Sequence, residues 1–513
     1  MKFRNEIYFL AIILFAFTSS FAQYAEGPKS PDELENEAEL EFASSISEED
    51  LREYLEILAS DALEGRETGE RGQKMAAAFI KAHFEQEGLL PVVPHNQEKS
   101  YYQAFNLYRN YYGEIYVKVG DQKKEHLKDI LFYGDADISQ PLTNEIYFVG
   151  KGESKDYEGL DVNDAAVIFF AEARAERRQK VALAKKQGAK AFFVISNPDK
   201  TAFDDYLDRY QHYFTSGQIS TKAKPAGDDA VFFIYPELAA EMLQVKPSKL
   251  EDVLKKNQEG SQNFNRKIKP RSITYKVEKK SEAFLTENVL GLVEGTDKKD
   301  ELIVITAHYD HVGVDGEEVF NGADDDGSGT SAVLEMAQAF AQAKKAGHGP
   351  RRSVLFMTVT GEEKGLLGSS YYVDNPVLPL ENTVANLNID MIGRVDPDHQ
   401  EQPNYVYLIG SDRLSKELHD LNEQANNKYT QMELDYTYND ENDPNRFYYR
   451  SDHYNFAKNN IPIIFYFNGT HADYHKSTDT VEKINFEMLK KRTQLVFYTA
   501  WELANREERV KLD

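Results

Sequence analysis

Six strand-like runs punctuate the second half of the chain: "NVLGLV" (288–293), "LIVITA" (302–307), "SVLFMTV" (353–359), "VANLNID" (384–390), "YVYLIG" (405–410) and "IPIIFYF" (461–467). A strand with one wet face alternates apolar and polar residues, because successive side chains point to opposite faces. Most of these runs are apolar throughout, so both faces are expected to be buried, which calls for helices on either side of the sheet. Helical patterns at 330–345, 413–427 and 485–505 supply them. The reading is an α/β fold with a mixed, mostly parallel sheet flanked by helices on both faces. In such sheets ligands bind beyond the carboxyl ends of the strands.

The segments just after these strands are rich in imidazoles and carboxylates. After "LIVITA" come His308, Asp310 and His311, and after "SVLFMTV" come Glu362 and Glu363. "VANLNID" ends in Asp390, and the loop after "IPIIFYF" holds His471, Asp473, His475 and Asp479. Between the first two lies "NGADDDGSGTSAVLEMA" (321–337), where Asp324, Asp325 and Asp326 stand side by side before a helix. Adjacent carboxylates repel one another unless a cation sits among them. Each cluster alone reads as an ordinary polar turn, but their shared place at the strand ends of one sheet points to a metal site. The chain contains no cysteine, so His and carboxylate ligands are left, a set that suits zinc or a similar divalent ion. Ser328 or Thr330 is expected to cap the helix beyond the aspartates.

Length and charge bound the rest. A chain of 513 residues has room for several domains. Its 41% hydrophobic and 28% charged residues are those of a globular protein. A net charge of -26 disfavours nucleic acid and anionic membranes as partners. "MKFRNEIYFLAIILFAFTSSFAQ" has Lys2 and Arg4, then an apolar core from Ile7 to Phe17, then small residues. That is the shape of a secretory signal peptide (1–22) cleaved after Ala22, with a core too short for a comfortable membrane span. The expected location is therefore exported, periplasmic or extracellular, with no membrane contact once the signal is removed. The lack of cysteine also excludes disulfides and a lipid-carrying cysteine.

Residues 23–46 are acidic and read as a flexible lead. Residues 47–124 open with two helices: Ser47 and Asp50 form a capping-box-like start, and a second helix puts Met75, Ala76, Phe79, Ile80 and a packed His83 on one face and stops near Gly88. Between them lies the loop "DALEGRETGERG" (61–72). Over 125–275 a strand–helix–strand unit ("AAVIFF", then "RRQKVALAKKQGAKAFFVIS") marks a separate, smaller β-rich region. The polar stretch Asn257–Arg271 looks like the linker out of it, and 276–513 is the region of the six strands.

The ordered set "AHYDHVG", "NGADDDGSGTSAVLE", "TGEEKGLLGS", "NLNIDMIG" and "DYHKSTDT" resembles the dinuclear-zinc aminopeptidase family, which is related to glutamate carboxypeptidase, transferrin receptor and glutaminyl cyclase. The likeness is strong over roughly 280–480 and looser over 47–91, while 125–275 resembles the protease-associated insert domain of some members. It implies a zinc exopeptidase-like fold with two Zn2+ per chain. It also implies hydrolysis of N-terminal residues from peptides with a free N-terminus, by a hydroxide held between the ions and a glutamate base. His308 and Asp390 match the ligands of one zinc, Glu363 and His475 those of the other, and Asp325 the bridge, followed by a cis peptide. Glu362 matches the general base and Asp310 the carboxylate behind His308.

Several polar groups stay outside that set. His311 and His453 read as structural or substrate-lining rather than as ligands, and the "HKSTDT" context favours His475 over His471. Asp479 is expected to fix the loop after His475. Arg450 and Asp452, in "YRSDHYNF", are either substrate contacts or a surface salt bridge. The alternatives within the same resemblance are a carboxypeptidase or dipeptidase, and beyond them a glutaminyl cyclase or an inactive binding protein.

Overall fold

The computed structural model describes residues 31–215, 217–224, 227–259 and 263–513, and the signal-peptide reading of 1–22 lies outside them. Strands β1 (Tyr102–Val119), β2 (Arg271–Val293), β3 (Lys298–His308), β4 (Arg352–Val359), β5 (Thr383–Ile389), β6 (Tyr405–Ile409), β7 (Glu433–Asp435) and β8 (Ile463–Phe467) belong to one large sheet. Its ligand-bearing half runs in the order β7-β6-β8-β5-β3-β4-β2. β4, β3, β5 and β8 are mutually parallel, β2 runs antiparallel to β4, and β6 runs antiparallel to β8 but parallel to β7. The six sequence runs all fall on strands, and the mixed, mostly parallel sheet is as expected.

Both faces are dry, for the reason the sequence suggests. Ile303, Ile305, Val354 and Phe356 point into one core, while Leu302, Val304, Leu355 and Met357 point into the other. Helices α1 (Pro31–Ser45), α2 (Glu48–Leu58), α3 (Arg71–Glu87), α4 (Gly329–Lys345), α5 (Lys416–Ala425) and α6 (Phe486–Asn505) contribute to the first core. Short helices at Leu367–Asp374 and His453–Ala457 cover the second.

The flexible lead expected over 23–46 is corrected from residue 31 onward, 23–30 lying outside the described residues: Pro31–Ser45 is helical, and Ala38, Phe42 and Ile46 bury a stripe at helical spacing, with Phe42 stacked on Trp501. In the sequence, interspersed acidic residues obscure that stripe. On α3 the buried face is Gln73, Ala76, Ala77, Ile80, His83 and Phe84, and Met75 instead lies exposed.

β1 and β2 form a long antiparallel ribbon from Val289↔Tyr102 to Thr274↔Lys118, with a register shift between Val277 and Lys279. One end of β2 joins β4, and the other joins the strand Ile138–Phe148. There a second apolar core gathers parallel strands Ala166–Phe170, Ala191–Ile195 and Ala230–Ile234 with the helix Arg174–Lys186. In the stretch expected as a linker, Asn257–Arg271, the described residues include buried Asn265, which donates to the Asp156 backbone and side chain.

Ser47 caps α2 by accepting from Asp50 N–H at 2.9 Å, but its own N–H goes to Glu335 Oε1 at 2.7 Å rather than back to Asp50. Glu335 is fully buried, its Oε2 has no hydrogen-bond partner, and burial pushes its carboxyl up to about 8. In the unfolded chain it ionises near the usual value of about 4.3. Between these values the folded protein keeps a proton that the unfolded chain has lost, so this residue makes stability fall as pH rises through that window. Glu335→Gln keeps the acceptor for Ser47 and removes the titration. Thermal unfolding followed from roughly pH 5 to pH 8 should show a flatter decline in the variant than in the parent; parallel curves would contradict the assignment.

Candidate metal centre

The four parallel strands end side by side, so the residues just beyond them meet at one edge. His308 is the last residue of β3, Glu362 and Glu363 come after β4, Asp390 comes after β5, and the loop after β8 carries His471 and His475. The Ala323–Ser328 turn, which leads into α4, brings in the three aspartates, and the peptide bond between Asp325 and Asp326 is cis.

The three aspartates have different partners. Asp324 Oδ1 accepts from Gly393 N–H at 2.6 Å and Ser328 Oγ at 3.0 Å, and its Oδ2 lies 3.2 Å from His471 Nε2. Asp326 Oδ1 accepts from the N–H groups of Gly329 (2.9 Å) and Met391 (3.0 Å), and Oδ2 from that of His308 (3.2 Å). The start of α4 is thus capped by Asp326, while Ser328 and Thr330 donate to Asp324 and to the His308 carbonyl. Both flanking carboxylates are occupied in shaping the turn. Asp325 alone faces the open edge: Oδ1 is 3.2 Å from His308 Nε2, and Oδ2 is 3.0 Å from His475 Nε2.

Two groups of candidate ligand atoms therefore share Asp325. One is His308, Asp325 and Asp390; the other is His311, Asp325 and Glu363, with all ligand atoms of each group inside 4.8 Å of one another. His475 joins the second, 3.1 Å from Glu363 Oε2. His308 Nε2, Asp325 Oδ2 and Glu363 Oε1 are buried without a hydrogen-bond partner. Leaving a buried polar atom unpaired costs about 1–3 kcal/mol, and divalent cations between these atoms would satisfy all three. Nitrogen and carboxylate donors with no thiolate fit zinc.

The charges support this. Burial works to raise the Asp325 carboxyl, but the imidazoles of His308 and His475 outweigh it and hold the group well below the usual range. His475 answers in kind: burial lowers it, yet Asp325 and Glu363 push it up to about 10. Glu362 is raised, first by burial and then by Glu363 and Asp390, against the pull of His308.

The remaining expected residues take supporting places. His308 Nδ1 bonds to the backbone carbonyl of Asp310 at 3.0 Å, while the Asp310 carboxylate is 3.9 Å away. That carboxylate accepts from Thr68 Oγ1 (2.6 Å) and Glu362 N–H (3.2 Å), so it ties the β3 and β4 loops together. Asp479 accepts from the N–H groups of Asp324 and Asp325, so it holds the aspartate turn rather than its own loop. His471 serves Asp324 and does not reach Asp325 or Glu363 among the described contacts. His453 is buried, stacked on Phe465 and bonded to the Tyr448 carbonyl. Asp452 is buried with Ser369, and Arg450 lies at the surface beside Tyr474, whose ring stacks on His475. The two form no surface salt bridge with each other among the described residues.

Sequence reasoning missed Arg66. Its guanidinium, 1% exposed, donates to the carbonyls of Leu58, Tyr309, Asn321 and Gly322. One side chain thus clamps the end of α2 to the His308 loop and to the entry of the aspartate turn, and it brings a positive charge to an acidic centre. Its only signal was its place in the Gly-punctuated loop 61–72.

Residues 288–500 match the model of Peptidase family M28. Aminopeptidase YwaD of Bacillus subtilis (strain 168) is 28% identical over 228 residues, 44% of this chain and 46% of that protein. A probable glutamate carboxypeptidase of Arthroderma benhamiae is 36% identical over 105 residues, 20% of this chain and 14% of that protein. The chain thus covers less than half the length of either relative. The solved aminopeptidase from Aneurinibacillus sp. strain AM-1 shares the fold, with TM-score 0.52 and 21% identity over 92% of this chain and 97% of that one.

A nitrogen that carries a proton cannot bind a cation. His475 is protonated at neutral pH when only Asp325 and Glu363 face it, so zinc loading of metal-stripped protein should expel protons. Calorimetry in buffers of differing ionisation enthalpy should give about one or more protons released per chain at neutral pH. A binding heat independent of the buffer would contradict this arrangement.

Proposed function

We propose that this chain, which through residues 288–500 belongs to peptidase family M28, is an exported zinc aminopeptidase that removes N-terminal residues from peptides. The observation that carries the reading is Asp325, whose two carboxylate oxygens face His308 on one side and His475 on the other. In this reading His308 and Asp390 hold one zinc, Glu363 and His475 hold a second, and Asp325 spans both.

Bound there, the ions would polarise the scissile carbonyl and lower the pKa of a water held beside it. Glu362 stands after β4, immediately before the ligand Glu363, and remains partly exposed. Its backbone N–H is fixed by Asp310, and in this reading its carboxylate serves the centre without being a ligand. Glu362 would take the proton of the attacking water on its carboxylate and return it to the leaving amine. Asp310 positions this loop and, through its backbone carbonyl, the His308 ring.

One observation favours a second reading, a carboxypeptidase. Exposed Arg450 donates to Tyr474, whose ring stacks on His475, and in this reading it would receive a terminal carboxylate. Two further elements of the proposal rest on sequence: export on the leader at 1–22, to periplasm or medium, and the likeness of 125–275 to a protease-associated insert, which its separate apolar core supports.

Glu362→Gln should keep the zinc content of the parent and lose at least about a hundredfold in turnover; near-parental hydrolysis would remove Glu362 from its role. Matched peptides with free or blocked ends then decide between the two readings. Cleavage that needs a free N-terminus and stops with chelator fits the aminopeptidase, whereas cleavage of N-blocked peptides that needs a free C-terminus rejects it.

A further inference from the structure

His311 falls in the second group of candidate ligand atoms, yet the proposed function gives it no role. It is completely buried, and neither ring nitrogen has a hydrogen-bond partner. Buried polar groups are paired in nearly all native structures, so an imidazole orphaned at both nitrogens asks for a partner. Its Nδ1 is 2.9 Å from Glu363 Oε1 and 3.8 Å from Asp325 Oδ2. The shorter contact is not a hydrogen bond, since Glu363 Oε1 is also left without a partner. Two ligand atoms without hydrogen-bond partners thus lie against each other.

The spacing identifies what belongs between them. Donors about 2.0–2.1 Å from a tetrahedral zinc stand roughly 3.3 Å from one another. The ligands proposed above for the same side have this spacing, with His475 Nε2 3.0 Å from Asp325 Oδ2 and 3.1 Å from Glu363 Oε2. His311 Nδ1 fits the same set. The ring cannot withdraw: its backbone N–H is bonded to the Arg66 carbonyl, and a Cβ on Gly322 would lie 2.5 Å from His311 Cγ. Gly322, at φ 55°, leaves the room the ring occupies. The His475 ring meets it edge-on, with centroids 5.7 Å apart.

We propose that His311 is a third terminal ligand on the Glu363–His475 side, which makes the two metal positions unequal. This rests on the two-zinc reading above. The His308 position then has two terminal ligands plus Asp325, and the other has three plus Asp325. The second position should fill first and empty last, because more of its donors are supplied and held by the chain.

X-ray absorption of the zinc-reconstituted protein counts imidazoles directly and needs no variant. Three imidazoles per two zinc ions are expected; two would overturn the proposal while leaving the two-zinc reading intact, and failure to bind zinc would overturn both. A chromophoric chelator should remove the ions in two separated steps. His311→Phe keeps the ring and removes the nitrogens, and it should weaken the slower-leaving ion by about 10–100-fold. Folding of that variant is checked by its circular dichroism. A folded His311→Phe that keeps two well-separated steps at parental affinities would refute the assignment.

Discussion

One carboxylate with an imidazole against each of its oxygens organises this molecule. Asp325 sits in a buried turn among Asp324, Asp326 and Asp390, where an unbalanced negative charge would be costly. Its neighbours are neutralised by backbone N–H groups and by His471. Asp325 has no such relief apart from the imidazoles. The site therefore demands positive charge between its side chains, and in the proposed function two zinc ions supply it.

The fold can be read as the means of holding that carboxylate still. Four parallel strands, buried on both faces, deliver His308, Glu363, Asp390 and the His475 loop to one edge. α4 packs Val333, Leu334 and Ala337 into the core directly behind the aspartate turn. Asp479 reaches over from the His475 loop to the N–H groups of Asp324 and Asp325. Arg66 joins α2, the His308 loop and the turn through four carbonyls, with no exposed alternative for its charge. A centre built this way is preorganised, so its ligands need not be gathered at the moment of binding.

Much of this was legible in the sequence. Strands buried on both faces leave continuous apolar runs, and residues that end such runs share an edge by topology alone; that brings together His308, Glu362, Glu363, Asp390 and the loop of His471 and His475, while the choice of ligands and base among them comes from the family resemblance. The features that escaped notice obey different rules. The β1–β2 ribbon alternates buried and wet positions, so "KVEKKSEAFLTEN" looks like charged coil. Arg66 resembles any arginine in a glycine-rich loop until four carbonyls from distant segments converge on it. His311 reads in the sequence as structural or substrate-lining because its contact with Glu363 comes from a different strand end. The helix over Pro31–Ser45 hid its apolar stripe behind acidic residues.

Anomalous diffraction at the zinc edge from crystals of the reconstituted protein tests the central claim most directly. The account predicts two peaks, one on the His308 side and one on the His475 side of Asp325, each within bonding distance of a different oxygen of that carboxylate. A single peak, or two peaks with one bound through Asp324 or Asp326 in place of Asp325, would contradict it.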